Sequence, residues 1–159
     1  MEVSRLTALF FCLLVTPAFA GSATWNLNPT SGEWNTAANW TPATVPSGLN
    51  DIATFAVSNT TSVSPSDRVQ VRGINFVAGA SAFTITIIAQ RSFTFIGGGI
   101  TNDSGVIQNF VTEVVPSEVG SVAFTGNATA GNMVAFTNNS TVNGHDGGDG
   151  NDLTLTVVK

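Results

Sequence analysis

The chain is poor in the side chains from which catalytic centres are usually built. It has one cysteine, Cys12, and one histidine, His145, and charged residues make up 9% of its 159 residues. Cys12 lies in an N-terminal segment that we predict to be removed, so a Cys-His nucleophile pair and a histidine-rich zinc site are excluded. The G-x-S-x-G motif of a nucleophile elbow is also absent. We predict no catalytic residues and no enzymatic activity.

Positive charge is scarce as well. The formal net charge is −5, with 5 Lys and Arg residues against 10 Asp and Glu. A protein that binds nucleic acid needs a basic surface to neutralise the phosphates. We therefore predict that nucleic acid is not a partner.

The sequence also lacks an apolar run long enough to cross a membrane. Residues 6–15 are apolar over about half the roughly 20 residues that a transmembrane helix requires. This run follows Arg5 and precedes P-A-F-A at residues 17–20, which is the order of a secretory signal peptide. We predict cleavage after Ala20, which removes Cys12, and a secreted or cell-surface protein with no membrane-spanning segment. An exported domain without cysteine is more typical of bacteria than of eukaryotes, whose small secreted domains often use disulfides.

The chain does contain a repeated unit. The pattern V-A-F-T-x-N occurs at residues 122–127 and, twelve residues on, at residues 134–139. Each copy alternates polar and apolar residues and ends at a residue that tolerates a turn, so it predicts one short strand and one corner. Residues 83–87, F-T-I-T-I, show the clearest alternation, and no window has a sustained helical period. The chain is therefore predicted to be all-β.

Other short strands are predicted along the chain, with turn clusters between them. They cover residues 52–57, 69–71, 74–76, 93–96, 107–111 and 153–157. The strand at 93–96 is predicted to end at the three glycines of residues 97–99.

The composition divides the chain into three segments. Residues 1–20 are the predicted signal peptide. Residues 21–51 are rich in Trp, Asn, Thr, Pro and Gly without a sustained period, and we predict a looped cap. Residues 52–159 are the predicted repetitive β domain.

Two β-architectures fit short strands with Gly and Asn corners. One is a short right-handed parallel β-helix, a solenoid in which each coil stacks on the last. The alternative is an antiparallel β-sandwich with hairpin turns. The twelve-residue repeat fits one face plus a corner of a solenoid coil, and it fits a hairpin equally well. We favour the β-helix, in which Phe124 and Phe136 should both point inward.

Three tryptophans, Trp25, Trp34 and Trp40, are spaced through the cap. Exposed indoles are the usual platform for stacking on sugar rings, so these three are candidate glycan-binding residues. A solenoid must also cover its open end, and large aromatic side chains can do this by packing on the core of the first coil. We prefer this second interpretation.

Residues 147–152, G-G-D-G-N-D, match the start of the calcium-binding nonapeptide G-G-x-G-x-D-x-U-x. Asp149, Asn151 and Asp152 carry the oxygen ligands that calcium requires. Calcium is normally shared between successive copies of this motif, but the chain has one copy. The eighth position of the motif is normally apolar, whereas this chain has Thr154 there. A plain turn before the last strand is the alternative. No other metal or cofactor is predicted.

The cap and the residues that follow it contain short motifs that are similar to those of a known family. It reads T-W-N-L-N-P-T-S-G-E-W-N-T-A-A-N-W at residues 24–40, and then Val45-Pro46 and N-D-I-A-T-F at residues 50–55. These segments resemble the N-terminal part of bacterial autotransporter-associated repeat proteins. Residues 73–76, 83–86 and 100–105 are similar to the strands that follow in that family, and residues 147–155 are similar to a closing strand.

The resemblance implies an exported, surface-exposed chain with a β-helical fold. Family members are commonly much longer and many end in a membrane β-barrel, so the chain resembles a short member or a fragment without that barrel. The family's transport route is not carried over to this chain.

Together these features predict a structural, adhesin-like module whose partner is an extracellular surface, glycan or protein. Binding would use a regular, mostly uncharged face of Thr, Asn and Ser through many shallow contacts. A glycan-binding β-sandwich that uses the three tryptophans is the first alternative. A polysaccharide-cleaving β-helix is the second, and it requires two carboxylates within about 10 Å in a groove.

Overall fold

The computed structural model describes residues 21–115 and 118–139, together with the backbone of residues 157–158. The described elements are one 3-10 helix, Ala37–Asn39, and twelve strands. The strands are β1 (Ala23–Trp25), β2 (Trp40–Thr41), β3 (Ile52–Phe55), β4 (Ser62–Val63), β5 (Val69–Phe76), β6 (Thr84–Ile87), β7 (Ser92–Asn102), β8 (Gln108–Val115), β9 (Glu118–Val119), β10 (Ser121–Thr125), β11 (Val134–Asn139) and β12 (Val157–Val158). None of the helical structure in these ranges has the length and apolar character to cross a bilayer.

The strands wind into a parallel β-solenoid of about four turns. Each turn contributes one strand to each of two sheets: β3 and β4, then β5 and β6, then β7 and β8, and then β10 and β11. Successive turns pair in parallel, as β6 does with β8 and β8 with β11. This pairing confirms the predicted parallel β-helix. It excludes the antiparallel sandwich, because the two strands of each turn lie in different sheets.

A coil has three faces, because β5 and β7 each bend across a corner. The parallel register between them shifts between Val71 and Gly73, where β7 has two more residues than β5. Gly97 lies in this bend with φ 141°, a conformation that glycine adopts readily. The prediction that residues 97–99 end a strand is therefore corrected: these glycines bend β7, which continues to Asn102.

Face 1 consists of β1, β3 and residues 73–76 and 99–102; face 2 consists of β4, β6, β8 and β11; face 3 consists of residues 69–71 and 92–96, β10 and β12.

The core lies inside the coils and is built from columns of apolar side chains. On face 3, Val71, Phe95 and Phe124 occupy one register position in successive coils. The rings of Phe95 and Phe124 stack with their centroids 4.8 Å apart. Alternation along a strand points these side chains inward, and burial of each one contributes about 1.5–3 kcal/mol.

The two copies of the V-A-F-T pattern form β10 and β11, which lie on faces 3 and 2 of one coil. Phe124 is buried, and Phe136 is half-buried against the same core. Their rings meet edge to face with centroids 5.8 Å apart. The prediction that both point inward is confirmed, and the twelve-residue period corresponds to one face plus one corner.

The cap, residues 21–51, covers the N-terminal end of the solenoid. Strand β1 pairs in parallel with β3, whereas β2 on its other edge runs antiparallel to it. Strand β2 has only two residues and is followed by Pro42, which has no N–H for a further strand. A short antiparallel strand of this kind protects the edge of a sheet from pairing with another chain.

The three tryptophans form the centre of the cap, with exposed fractions of 1%, 0% and 1% for Trp25, Trp34 and Trp40. The Trp40 ring meets those of Trp25 and Trp34 edge to face, with centroids 4.9 and 4.8 Å apart. Each indole N–H donates to a main-chain carbonyl oxygen. A sugar-stacking platform needs an accessible indole face. The glycan-binding interpretation of these residues is therefore corrected: they cover the core of the first coil.

Asn39 joins the loops of the cap. Its buried Oδ1 accepts hydrogen bonds from Thr30 N at 2.8 Å, from Thr30 Oγ1 at 2.7 Å and from Ser31 N at 3.3 Å. Its Nδ2 donates to Ser31 Oγ at 3.0 Å and to Glu33 O at 2.7 Å. Both ends of the amide are thus satisfied, which fixes residues 30–33 against the 3-10 helix.

Candidate binding groove

The outer side of face 1 carries a column of neutral polar side chains. Thr24, Thr54, Asn75 and Thr101 occupy one register position in β1, β3, β5 and β7. They point outward because the position before each of them, and the position after each of the first three, is buried and apolar. Since adjacent strands lie about 4.8 Å apart, the column presents hydroxyl and amide groups at a regular spacing.

A groove of about 240 Å³ crosses this column. The side chains that give it chemical character come from three strands and from the loop that follows β7. They include Ile52, Arg72, Asn75, Thr101 and Asp103, and the backbone of Gly98 completes one wall.

Two glycines that line the groove allow adjacent coils to approach closely. Gly73 and Gly99 lie opposite each other in β5 and β7, and a Cβ on Gly73 would come within 2.6 Å of Gly99 O. A Cβ on Gly99 would come within 2.1 Å of Thr129 O in the next coil. Glycine is therefore required at both positions for the coils to approach. The backbone of both residues lines the groove.

The polar groups of the groove have few protein partners. Within the described ranges, neither the Arg72 guanidinium nor the Asp103 carboxylate nor the Thr101 hydroxyl makes a hydrogen bond. The Oδ1 atom of Asn75 is shielded from solvent and has no hydrogen-bond partner. Leaving such an acceptor unpaired costs about 1–3 kcal/mol. The groove therefore offers donors and acceptors that the fold itself does not use.

A second groove, of about 180 Å³, lies between the cap and face 2. Glu33 is the carboxylate that lines it. Its Oε1 accepts hydrogen bonds from Asn35 N at 2.9 Å and from Ser66 N at 3.0 Å. Glu33 thus joins the cap to the loop after β4, which is a structural task.

Each of these two grooves is lined by one carboxylate, Asp103 in the first and Glu33 in the second. A polysaccharide-cleaving site needs a pair of carboxylates in one groove. Across the part of the chain that the structure describes, no group of three or more His, Cys, Asp or Glu side chains could hold a metal ion. The calcium candidates Asp149, Asn151 and Asp152 lie outside the described residues, as does His145.

The residues of the face 1 groove were not predicted as a site. Arg72, Asn75, Thr101 and Asp103 belong to no motif that predicts a binding site. The sequence does contain one signal for these residues: polar outward positions of β5 and β7 alternate with apolar ones. The register that aligns Asn75 with Thr101 depends on pairing between coils, and a single sequence does not reveal it.

The resemblance to autotransporter-associated repeat proteins stays a prediction for this chain. Comparison of the chain with protein-family models, with curated proteins and with solved structures found no match.

Proposed function

We propose that the chain is a secreted or cell-surface β-solenoid that acts as a structural, adhesin-like module without catalytic activity. The observation that carries the proposal is the polar column on face 1, which runs across four hydrogen-bonded strands. It consists of Thr24, Thr54, Asn75 and Thr101. The column is uncharged, regular and supported by rigid sheet structure. Such a surface suits binding by many shallow contacts to an extended extracellular partner.

The position of the first strand supports export. Strand β1 begins at Ala23, after the predicted cleavage site at Ala20. Removal of residues 1–20 therefore leaves every described strand of the solenoid intact. The fold also needs no disulfide, because the aromatic columns and the parallel ladders supply its core.

Export can be tested by expressing the full chain in a bacterium with a general secretory pathway. We expect the protein outside the cytoplasm with Gly21 as its first residue, as shown by intact mass and N-terminal sequencing. Ala20→Glu should block cleavage, because signal peptidase requires a small residue there. Ala43→Glu, at an exposed position of the cap, is the matched control. A wild-type chain that stays in the cytoplasm with Met1 intact would contradict the proposal.

Surface binding can be tested by retaining the protein on an array of immobilised extracellular glycans and matrix proteins. Thr54→Lys places a charge in the face 1 column, whereas Thr94→Lys places the same charge on face 3. We expect retention on at least one ligand, reduced about tenfold by Thr54→Lys, equivalent to about 1.4 kcal/mol. Thr94→Lys should retain the wild-type level. Absence of retention on every ligand, or equal loss in both variants, would contradict an adhesin-like face 1.

A further inference from the structure

The geometry points to the face 1 groove as the site for one neutral sugar residue of a surface glycan. This inference rests on the adhesin-like role proposed above and names the chemical class of its ligand. It uses Ile52, Arg72, Asn75, Thr101 and Asp103, and it does not involve the buried tryptophans.

The size of the groove limits the ligand to a small group. Its volume of about 240 Å³ falls below the roughly 300–1,000 Å³ of pockets that enclose a drug-sized molecule. One ring of a larger chain fits this description, with the rest of the chain lying over the outer side of face 1. The neutral column that includes Thr54 continues from the groove and offers hydroxyl groups to such a chain.

The charges favour a ligand that is neutral overall. Arg72 lies before the part of β5 that forms face 1, and Asp103 follows the last residue of β7. These positions are about five residues apart along the strand direction, which corresponds to roughly 16 Å at 3.3 Å per residue. The two side chains carry opposite charges, so the groove as a whole has no net charge that would select an anion or a cation. Calcium is further disfavoured, because it requires six to eight oxygen ligands.

The hydrogen-bonding groups match hydroxyls, which both donate and accept. Arg72 can only donate and the Asp103 carboxylate can only accept, while Asn75 and Thr101 can do both. Rotation of the Asn75 amide toward a ligand hydroxyl would give Oδ1 the partner that it lacks. A sugar ring carries several such hydroxyls around its edge, so one ring beside Asn75 and Thr101 can bond to groups on more than one side.

The groove also has an apolar wall and a rigid frame. Ile52 is 39% exposed there, and its side chain can contact the C–H face of a sugar. Its N–H donates to Ser22 Oγ at 2.9 Å, and Arg72 N donates to Asp51 O at 2.9 Å. Because the site is built mainly on paired strands, little ordering is needed when the ligand binds.

Gly98 provides a way to fill the groove without disturbing the fold. A Cβ added there would lie 3.6 Å from Arg72 O, an ordinary van der Waals contact. The backbone of Gly98 also has no positive φ that would strain a side chain. Gly98→Leu should therefore occupy the site. Arg72→Ala removes a donor from the groove, and Arg68→Ala, at an exposed arginine outside it, is the matched control.

The test is a titration of the ¹⁵N-labelled full chain, purified from whichever fraction contains it. The probes are glucose, galactose, mannose, N-acetylglucosamine, anionic N-acetylneuraminic acid and inorganic phosphate. We expect saturable shifts of the Ile52, Asn75 and Thr101 amide signals with at least one neutral sugar. Gly98→Leu should abolish these shifts, and Arg72→Ala should weaken binding about tenfold, as for the loss of a charged hydrogen bond. Arg68→Ala should bind as the wild type does.

Several outcomes would overturn the inference. One is the absence of these shifts with every neutral sugar, and another is equal weakening by Arg72→Ala and Arg68→Ala. Binding of the anions alone, strengthened by Asp103→Asn, would make the groove an anion site. If Gly98→Leu does not fold, the two arginine variants still decide. If array retention is lost in Thr54→Lys but unaffected by Gly98→Leu and Arg72→Ala, the groove proposal fails while the adhesin-like role stands.

Discussion

The cap, residues 21–51, and the coil body, residues 52–139, are stabilised in different ways. In the cap, individual side chains bond to the main chain, as Trp34 Nε1 does to Pro46 O at 3.0 Å and Asn39 does to three neighbouring residues. In the body, the recurring interactions are stacked apolar columns and parallel main-chain ladders. Some body side chains also bond to the main chain, as the buried Gln108 does at the corner before face 2 and Asn102 Nδ2 does to Met133 O at 2.9 Å.

The difference follows from what each region must do. A coil in the middle of the solenoid has another coil on each side, so its main-chain groups pair with both neighbours. The cap has a coil on one side only, and its loops must satisfy their own polar groups. We therefore expect the cap to depend on particular side chains and the body to depend on close approach of the backbone.

The largest loss is expected for Trp34→Ala in the cap. Trp34 is fully buried, and its ring contacts those of Trp40, Phe55 and Phe93. Its removal should lower the free energy of unfolding by about 4 kcal/mol, as measured by denaturant titration. Phe136→Ala, at a half-buried ring in the body, should cost about 2 kcal/mol because less surface is lost. If the two variants lose the same stability, the complete burial of Trp34 does not make it more important than a half-buried ring of the body.

In the body, the corresponding test replaces a glycine. Gly99 and Gly105 both have positive φ, 74° and 82°. A Cβ on Gly99 would lie 2.1 Å from Thr129 O, whereas a Cβ on Gly105 would meet nothing within 4 Å. Gly105→Ala should cost about 1 kcal/mol through backbone strain. Gly99→Ala should cost about 3 kcal/mol, because the two coils must also separate. Equal thermal stability of the two variants would contradict the importance of backbone approach.

The strands of the body could be predicted because their signal is local. The alternation in residues 83–87 and the two V-A-F-T copies depend only on neighbouring positions, and the structure has strands there. The continuity of β5 could not be predicted in this way. Arg72 and Gly73 interrupt its alternation, so the sequence indicated two strands, and pairing with β7 keeps the segment continuous.

The groove could not be predicted for a related reason. Asn75 and Thr101 are neighbours only because β5 and β7 pair in one register. That register is set by contacts between coils and by the two extra residues of β7 at its bend. The role of Trp34 was easier to anticipate, since an indole in a cap has few ways to be buried other than on the first coil.

A third prediction concerns the hydrogen bonds of the cap. Asn39→Asp keeps the acceptor for Thr30 but loses the donor to Ser31 Oγ and Glu33 O. With Glu33 O left unpaired beside a buried carboxyl group, unfolding should require about 2–3 kcal/mol less free energy. Asn28→Asp is the control, because the exposed Asn28 side chain uses its Oδ1 to accept a hydrogen bond from Asn59 Nδ2. Similar losses in both variants would mean that the donor role of Asn39 is unimportant.

The smallest effect is expected where the body has a side-chain hydrogen bond between coils. Thr125 Oγ1 donates to Phe95 O at 3.0 Å, and Thr30 Oγ1 donates to Asn39 Oδ1 at 2.7 Å in the cap. Thr125→Val should cost about 0.5 kcal/mol or less, because Thr125 also lies in the β10–β7 ladder that holds the coils together. Thr30→Val should cost about 1 kcal/mol, because it weakens the contacts that position Asn39. Denaturant midpoints of the two variants give the comparison. A larger loss of stability for Thr125→Val would mean that main-chain pairing is insufficient to hold adjacent coils in register. The body would then depend on single side-chain hydrogen bonds, as the cap does.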